Sequence, residues 1–125
     1  MNHKDLDVWK KAVDFVTFVY QGTQKFPDNE KFGLTSQLRR AAVSIAANIS
    51  EGAARSSDTE FIQFLYISLG SSSEVETLLI ISNNLKFLDD KNYNLMNETM
   101  TDLKKMILGL IKYLKNKTHK ETISH

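Results

Sequence analysis

Leu34–Arg55 reads LTSQLRRAAVSIAANISEGAAR, and its spacing decides the fold. Leu34, Leu38, Ala41, Ile45, Asn48 and Gly52 fall at steps of four and three, which is one face of an α-helix. The stripe and its flanks are mostly small: Ala41, Ala42, Ser44, Ala46, Ala47, Ser50, Gly52, Ala53 and Ala54. Interhelical distance is set by the side chains at the contact, so this helix is expected to pack closely and on more than one side. Arg40, Ser44, Asn48, Glu51 and Arg55 run beside the stripe at similar spacing, which puts polar groups near that contact.

Working outward, the residues before this stretch carry a second helical stripe. Val8, Ala12, Phe15, Val19, Gly22 and Phe26 keep the four-three spacing, while Phe18 lies off it. Asp5 or Asp7 is suited to cap the N-terminus. Pro27 disfavours a helical conformation at Phe26, so the helix should stop near Lys25. The helix of the opening stretch then starts at Glu30 or Gly33. Beyond Arg55, Ser57 and Glu60 have capping-box spacing, and so short a connection makes the helices on either side antiparallel neighbours.

The third helix opens with Phe61, Ile62, Phe64, Leu65, Tyr66, Ile67 and Leu69, apolar nearly all round. Gly70-Ser71-Ser72-Ser73 reads as a loop by propensity. Phe61, Leu65, Val75 and Leu79 nevertheless stay in phase across it, and packing overrides propensity, so one helix to Asn84 is expected. Asp89 or Asp90 caps the fourth helix, whose stripe is Tyr93, Met96, Met100, Leu103, Ile107, Leu110 and Leu114. The polar residues after Leu114 are expected to fray. Helices near residues 6–25, 32–54, 58–85 and 90–116 make an all-α, up-down-up-down antiparallel four-helix bundle. The 125 residues form one domain, with an ordered core over about 5–116.

Composition narrows the function. With no cysteine, disulfides and thiolate metal sites are excluded. No uninterrupted apolar run approaches the ~20 residues of a membrane span, and the N-terminus MNHKDLDVWKK lacks the pattern of a signal peptide. A cytoplasmic protein without membrane contact is expected. Net charge is only +1. Its distribution is uneven: residues 56–102 carry two Lys/Arg and eight Asp/Glu, while residues 103–120 carry six lysines and no acid. Segregation of that kind steers partners when the net value does not.

Catalytic constellations are missing. His3, His119 and His125 lie in the terminal segments, and no metal-ligand spacing occurs. Glu74 and Glu76 point to different faces of a helix. Ser71, Ser72 and Ser73 have no neighbouring base, and their smallness, with Gly70, suits a close helix contact. Arg40 has two readings, an ion pair to an acid of the third helix such as Glu74, or a phosphate contact; Arg39 is open to either role. Lys104, Lys105, Lys112, Lys115, Lys117 and Lys120 read first as a solvated face near a helix C-terminus. Glu51 and Arg55, four apart, should pair on the surface.

QLRRAAVSIAANISEGAAR, preceded by FPDNEKFGL and followed by SSDTEFIQFLYISLGSSSEVETLL, resembles the 23S ribosomal RNA intervening-sequence proteins. The opening DLDVWKKAVDFVTFVY is similar to the family's start. Ala46 stands where many relatives carry proline, so this helix is expected to be the straighter one. The resemblance implies a four-helix bundle, a ring-shaped homo-oligomer, commonly a pentamer, and no active site. It extends to the accessory protein of diversity-generating retroelements, which works with a reverse transcriptase and nucleic acid. The expectation is therefore a non-enzymatic oligomeric scaffold without cofactor, associated with RNA or DNA, or with an enzyme acting on them. Arg39, Arg40, Lys104, Lys105, Lys112 and Lys115 are the candidate contacts, and Phe18, Phe61, Ile62, Phe64 and Tyr66 the candidate subunit interface. A protein adaptor without nucleic-acid contact is the alternative; an enzyme ranks below both.

Overall fold

Repeated steps of three and four leave each helix with one apolar stripe, and four stripes facing inward close a single core. The computed structural model describes residues 2–124, with side chains over 2–119. Its helices are α1 (Asp7–Thr23), α2 (Leu34–Ala53), α3 (Asp58–Asn84) and α4 (Asp90–Ser124), with 3-10 turns at His3–Asp5 and Asp28–Glu30. Each helix packs on the next and α4 returns against α1, the expected up-down-up-down bundle, without strands among the described residues.

The α2–α3 contact is the most extensive between any two helices of the bundle. Leu38, Ala41, Ala42, Ile45, Ile49 and Ala53 of α2 are buried there or in the adjoining core. Gly70–Ser73 lies inside α3, as the phase across it predicts. Ser68 and Ser72 take the inward places between Leu65 and Val75, both fully buried. The Ser68 hydroxyl donates to the carbonyl of Ile45 at 3.0 Å, and Ser72 donates to the carbonyl of Ser68 at 2.9 Å. Ser44 and Ser71 share a hydroxyl–hydroxyl bond of 2.9 Å nearby. Gly70, by contrast, faces open space, so the close approach belongs to the serines alone. Gly22 is pressed by the flexible end of Met96, whereas at Gly52 the neighbours cannot yield: a Cβ there would come within 2.7 Å of Phe64 Cβ and 2.8 Å of Phe61 Cδ1.

The helix ends show which groups stop each segment. Neither Asp5 nor Asp7 caps α1: Leu6 is the cap residue without a side-chain bond, and Asp7 instead places its charge in the first turn. α1 ends at Thr23, two residues before Lys25, and the Thr23 hydroxyl turns back to the Val19 carbonyl at 2.8 Å. Glu30 Oε2 accepts the Leu34 N–H at 3.1 Å and starts α2. Ser57 Oγ accepts the Glu60 N–H at 3.2 Å and donates to Glu60 Oε1 at 3.3 Å, so the Ser57 cap read from the sequence forms, with the glutamate turned to the hydroxyl. α3 closes with Lys86 at φ 65°, its N–H bonded to Asn83 O and that of Phe87 to Ser82 O, a Schellman turn. Asp89 caps α4 through the Asn92 N–H at 2.8 Å.

Three further expectations change. α4 does not stop near residue 116 but stays helical to Ser124. Leu114 is the last buried seam position, and no glycine or proline follows to break the helix. His3 is no loose end, since its ring meets Trp9 edge-on at 5.0 Å; His125 lies outside the described residues. Asp58–Asn84 also passes as a membrane span by length and composition, with a mean hydropathy of 1.3, although the sequence reading expected no such segment. Its surplus apolarity sits on outward positions, because Tyr66, Ile67, Ile80 and Ile81 are exposed while Ser68, Ser72 and Ser82 face the core.

Candidate functional site

Phe26 and Phe87 meet at 5.9 Å, which marks the end of the bundle where the α1–α2 and α3–α4 turns come together. At this end a cleft of about 460 Å³ opens between α1 and α2, lined by Tyr20, Lys31, Phe32, Thr35, Ser36, Arg39, Arg40 and Val43. Its cations meet no carboxylate among the described residues. Arg39 is held at three points: Nε donates to Thr23 Oγ1 at 2.8 Å, Nη2 to the Tyr20 carbonyl at 3.3 Å, and the guanidinium lies 4.5 Å from the Tyr20 ring centre. Arg40 is looser, with one contact to Ser36 Oγ at 3.4 Å. The register that joins Ser44 to Ser71 sets Arg40 level with Glu74, yet no ion pair forms between them. The expected partner is at the right height, but Arg40 lines the cleft on the α1 side.

Phe32 is the residue that sequence reasoning missed. It is 89% exposed, with Lys31 Nζ 5.6 Å from its ring centre. The signal was an aromatic wedged between a lysine and a glycine, ahead of the first buried residue of α2. Val43 also opens onto an adjoining apolar groove with Trp9, Val13, Val16, Ala46, Ala47 and Ser50.

The α4 lysines do not join this cleft. Lys104 pairs with Glu76 of α3 at 2.7 Å. Lys115 donates to the Tyr66 hydroxyl at 2.7 Å and lies 5.1 Å from that ring centre. Lys117 reaches Asp58 at 3.3 Å, at the start of α3 and so toward the opposite end of the bundle. Lys105 and Lys112 are exposed and make no ion pair among the described residues. The six candidate basic residues thus split into the arginine cleft and a separate, partly neutralised lysine face. Glu51 and Arg55 approach to 4.0 Å, as the spacing implies.

The candidate interface needs correction. Phe61 is 3% exposed and belongs to the core, because it is in phase with Leu65 and Val75. Phe18 and Ile62 are half-buried against the same core. Phe64 is half-buried too, packed near Gly52 with the Arg55 guanidinium 4.6 Å from its ring centre. Only Tyr66 is exposed, joined by Ile67, Ile80 and Ile81, which had not been singled out. The two pairs are about 20 Å apart along α3, from a rise of about 1.5 Å per residue. Exposed Gly70, Ser73, Glu74 and Thr77 separate them.

Among the described residues no three His, Asp, Glu or Cys side chains gather as metal ligands. No curated protein shows significant sequence similarity to the chain. A crystal structure of a protein of unknown function, from the S23 ribosomal protein family of Bacteroides thetaiotaomicron, superposes with a TM-score of 0.78. The two share 26% identity over 84% of this chain and 98% of that one. The family model for the 23S rRNA-intervening sequence protein matches residues 4–109, from the first turn to just past the middle of α4. On that match, which spans all four helices of the bundle just described, this chain belongs to the 23S rRNA-intervening sequence protein family.

Proposed function

We propose that this protein is a non-enzymatic helical scaffold that self-associates and binds nucleic acid through its basic surface, in the cytoplasm. The observation that carries the reading is the convergence of Lys31, Arg39 and Arg40 on one cleft without a carboxylate. Like charges are gathered only at a cost, which a bound anion offsets, and guanidinium suits phosphate oxygens. Self-association, as a ring of copies, would repeat the cleft and turn weak phosphate contacts into useful affinity. Binding of a structured RNA across a salt series tests this. A steep fall in affinity with salt is expected.

The apolar groove lined by Trp9, Val13, Val16 and Ala46 favours a second reading, a protein adaptor. Such a protein would show affinity for a protein partner and no salt-dependent affinity for RNA or DNA.

A further inference from the structure

The cleft holds an aromatic ring as well as cations, and phosphate binding makes no use of a ring. Among the described residues Phe32 is the most exposed large apolar side chain, at 89%. It lines the cleft two residues before Leu34, the first and buried residue of α2. Lys31 sits at its ring and Arg40 has only the 3.4 Å contact to Ser36, so both charges are able to reach an incoming anion. Glu30, the acid nearest in sequence, is occupied in capping Leu34. A planar apolar face beside unneutralised cations matches a nucleotide whose base is unpaired, since bases within a duplex hide their faces.

We propose that this cleft is a single-stranded nucleic-acid site in which one base stacks on Phe32 and the adjoining phosphates are held by Arg40 and Lys31. The inference rests on the nucleic-acid reading above and adds to it the strandedness and the stacking residue. Arg39, fixed on Tyr20 and Thr23, supplies a stationary positive charge at the wall. The cleft volume of about 460 Å³ fits one nucleotide unit and lies within the range of about 300–1,000 Å³ for ligand clefts.

The test is fluorescence anisotropy with a labelled twelve-base oligouridylate and a blunt RNA duplex, at several salt concentrations. Wild-type protein is expected to bind the single strand more tightly than the duplex. Phe32→Ala, at so exposed a site, keeps the helical circular dichroism and weakens single-strand binding by roughly five- to a hundredfold, the effect of losing one stacked base. Phe32→Trp restores it. Arg40→Gln reduces the salt slope by about one. Single-strand binding that Phe32→Ala leaves unchanged overturns this site but leaves the nucleic-acid reading standing. No salt-dependent binding to either RNA overturns both. Loss of self-association in Phe32→Ala, seen as a lower mass, overturns the stacking role and makes Phe32 a contact between copies.

Discussion

Ser68 donates its hydroxyl to the carbonyl oxygen of Ile45 at 3.0 Å, joining α3 to α2 at a point where both residues are fully buried. A larger side chain at Ser68 would hold the two backbones apart. Ser68→Ala keeps the spacing and loses one bond, a cost of about 1 kcal/mol. Ser68→Leu forces the contact open, and about 3 kcal/mol or more is expected. Urea unfolding of the two variants separates these effects, and equal losses would mean that the contact tolerates expansion.

Gly52 and Gly70 both lie within helices and should respond in opposite directions to alanine. At Gly52 the new methyl meets the Cβ of Phe64, which cannot swing aside, so Gly52→Ala is expected to destabilise by about 1–3 kcal/mol. At Gly70 it meets nothing within 4 Å, and replacing a helical glycine stabilises by about 0.5–1 kcal/mol. Thermal melts moving the same way for both would contradict the packing described.

Lys86 holds a left-handed conformation, φ 65°, in the turn that ends α3. Glycine adopts it without the side-chain penalty, so Lys86→Gly should stabilise by about 0.5–1 kcal/mol. Lys86→Val, branched at Cβ, should destabilise. Denaturant midpoints for the pair check the sign.

Tyr66, Ile67, Ile80 and Ile81, each 39–50% exposed, leave apolar surface on the outer side of α3, and in a lone molecule each forgoes roughly half of the ~1.5–3 kcal/mol that full burial of such a side chain contributes. Light scattering at micromolar concentration should give a multiple of 14.3 kDa, with a pentamer expected. Ile67→Glu combined with Ile81→Lys should lower the mass without loss of helix content. A wild-type mass of 14.3 kDa would remove self-association from the proposed function.

The helices were legible because their three-four spacing survives even where serines replace apolar residues: Ser68 and Ser72 hold the phase between Leu65 and Val75. The inward stripe of α3 was legible too, since Phe61, Leu65, Val75 and Leu79 are all buried. Its outer side was not: where Phe61, Ile62, Phe64, Leu65 and Ile67 are all apolar, hydrophobicity does not say which side chains are surplus to the core. Phe61 is for that reason also among the interface candidates, although it lies in the core. The cleft was half legible. Arg39 and Arg40 stood out as a pair, but Tyr20 and Thr23 join them only when α1 docks on α2, a relation between segments that local spacing does not encode.

The attachment of Arg39 has a kinetic side. Its guanidinium is already ordered by the Tyr20 ring, the Tyr20 carbonyl and the Thr23 hydroxyl. Immobilising a long side chain on binding ordinarily costs about 0.5–1.5 kcal/mol, and here that loss of freedom was met during folding. On the proposed reading, an anion reaching this wall would find its counter-charge in place. Its capture would then be governed by how often it arrives, and its residence by how firmly Arg40 and Lys31 hold it.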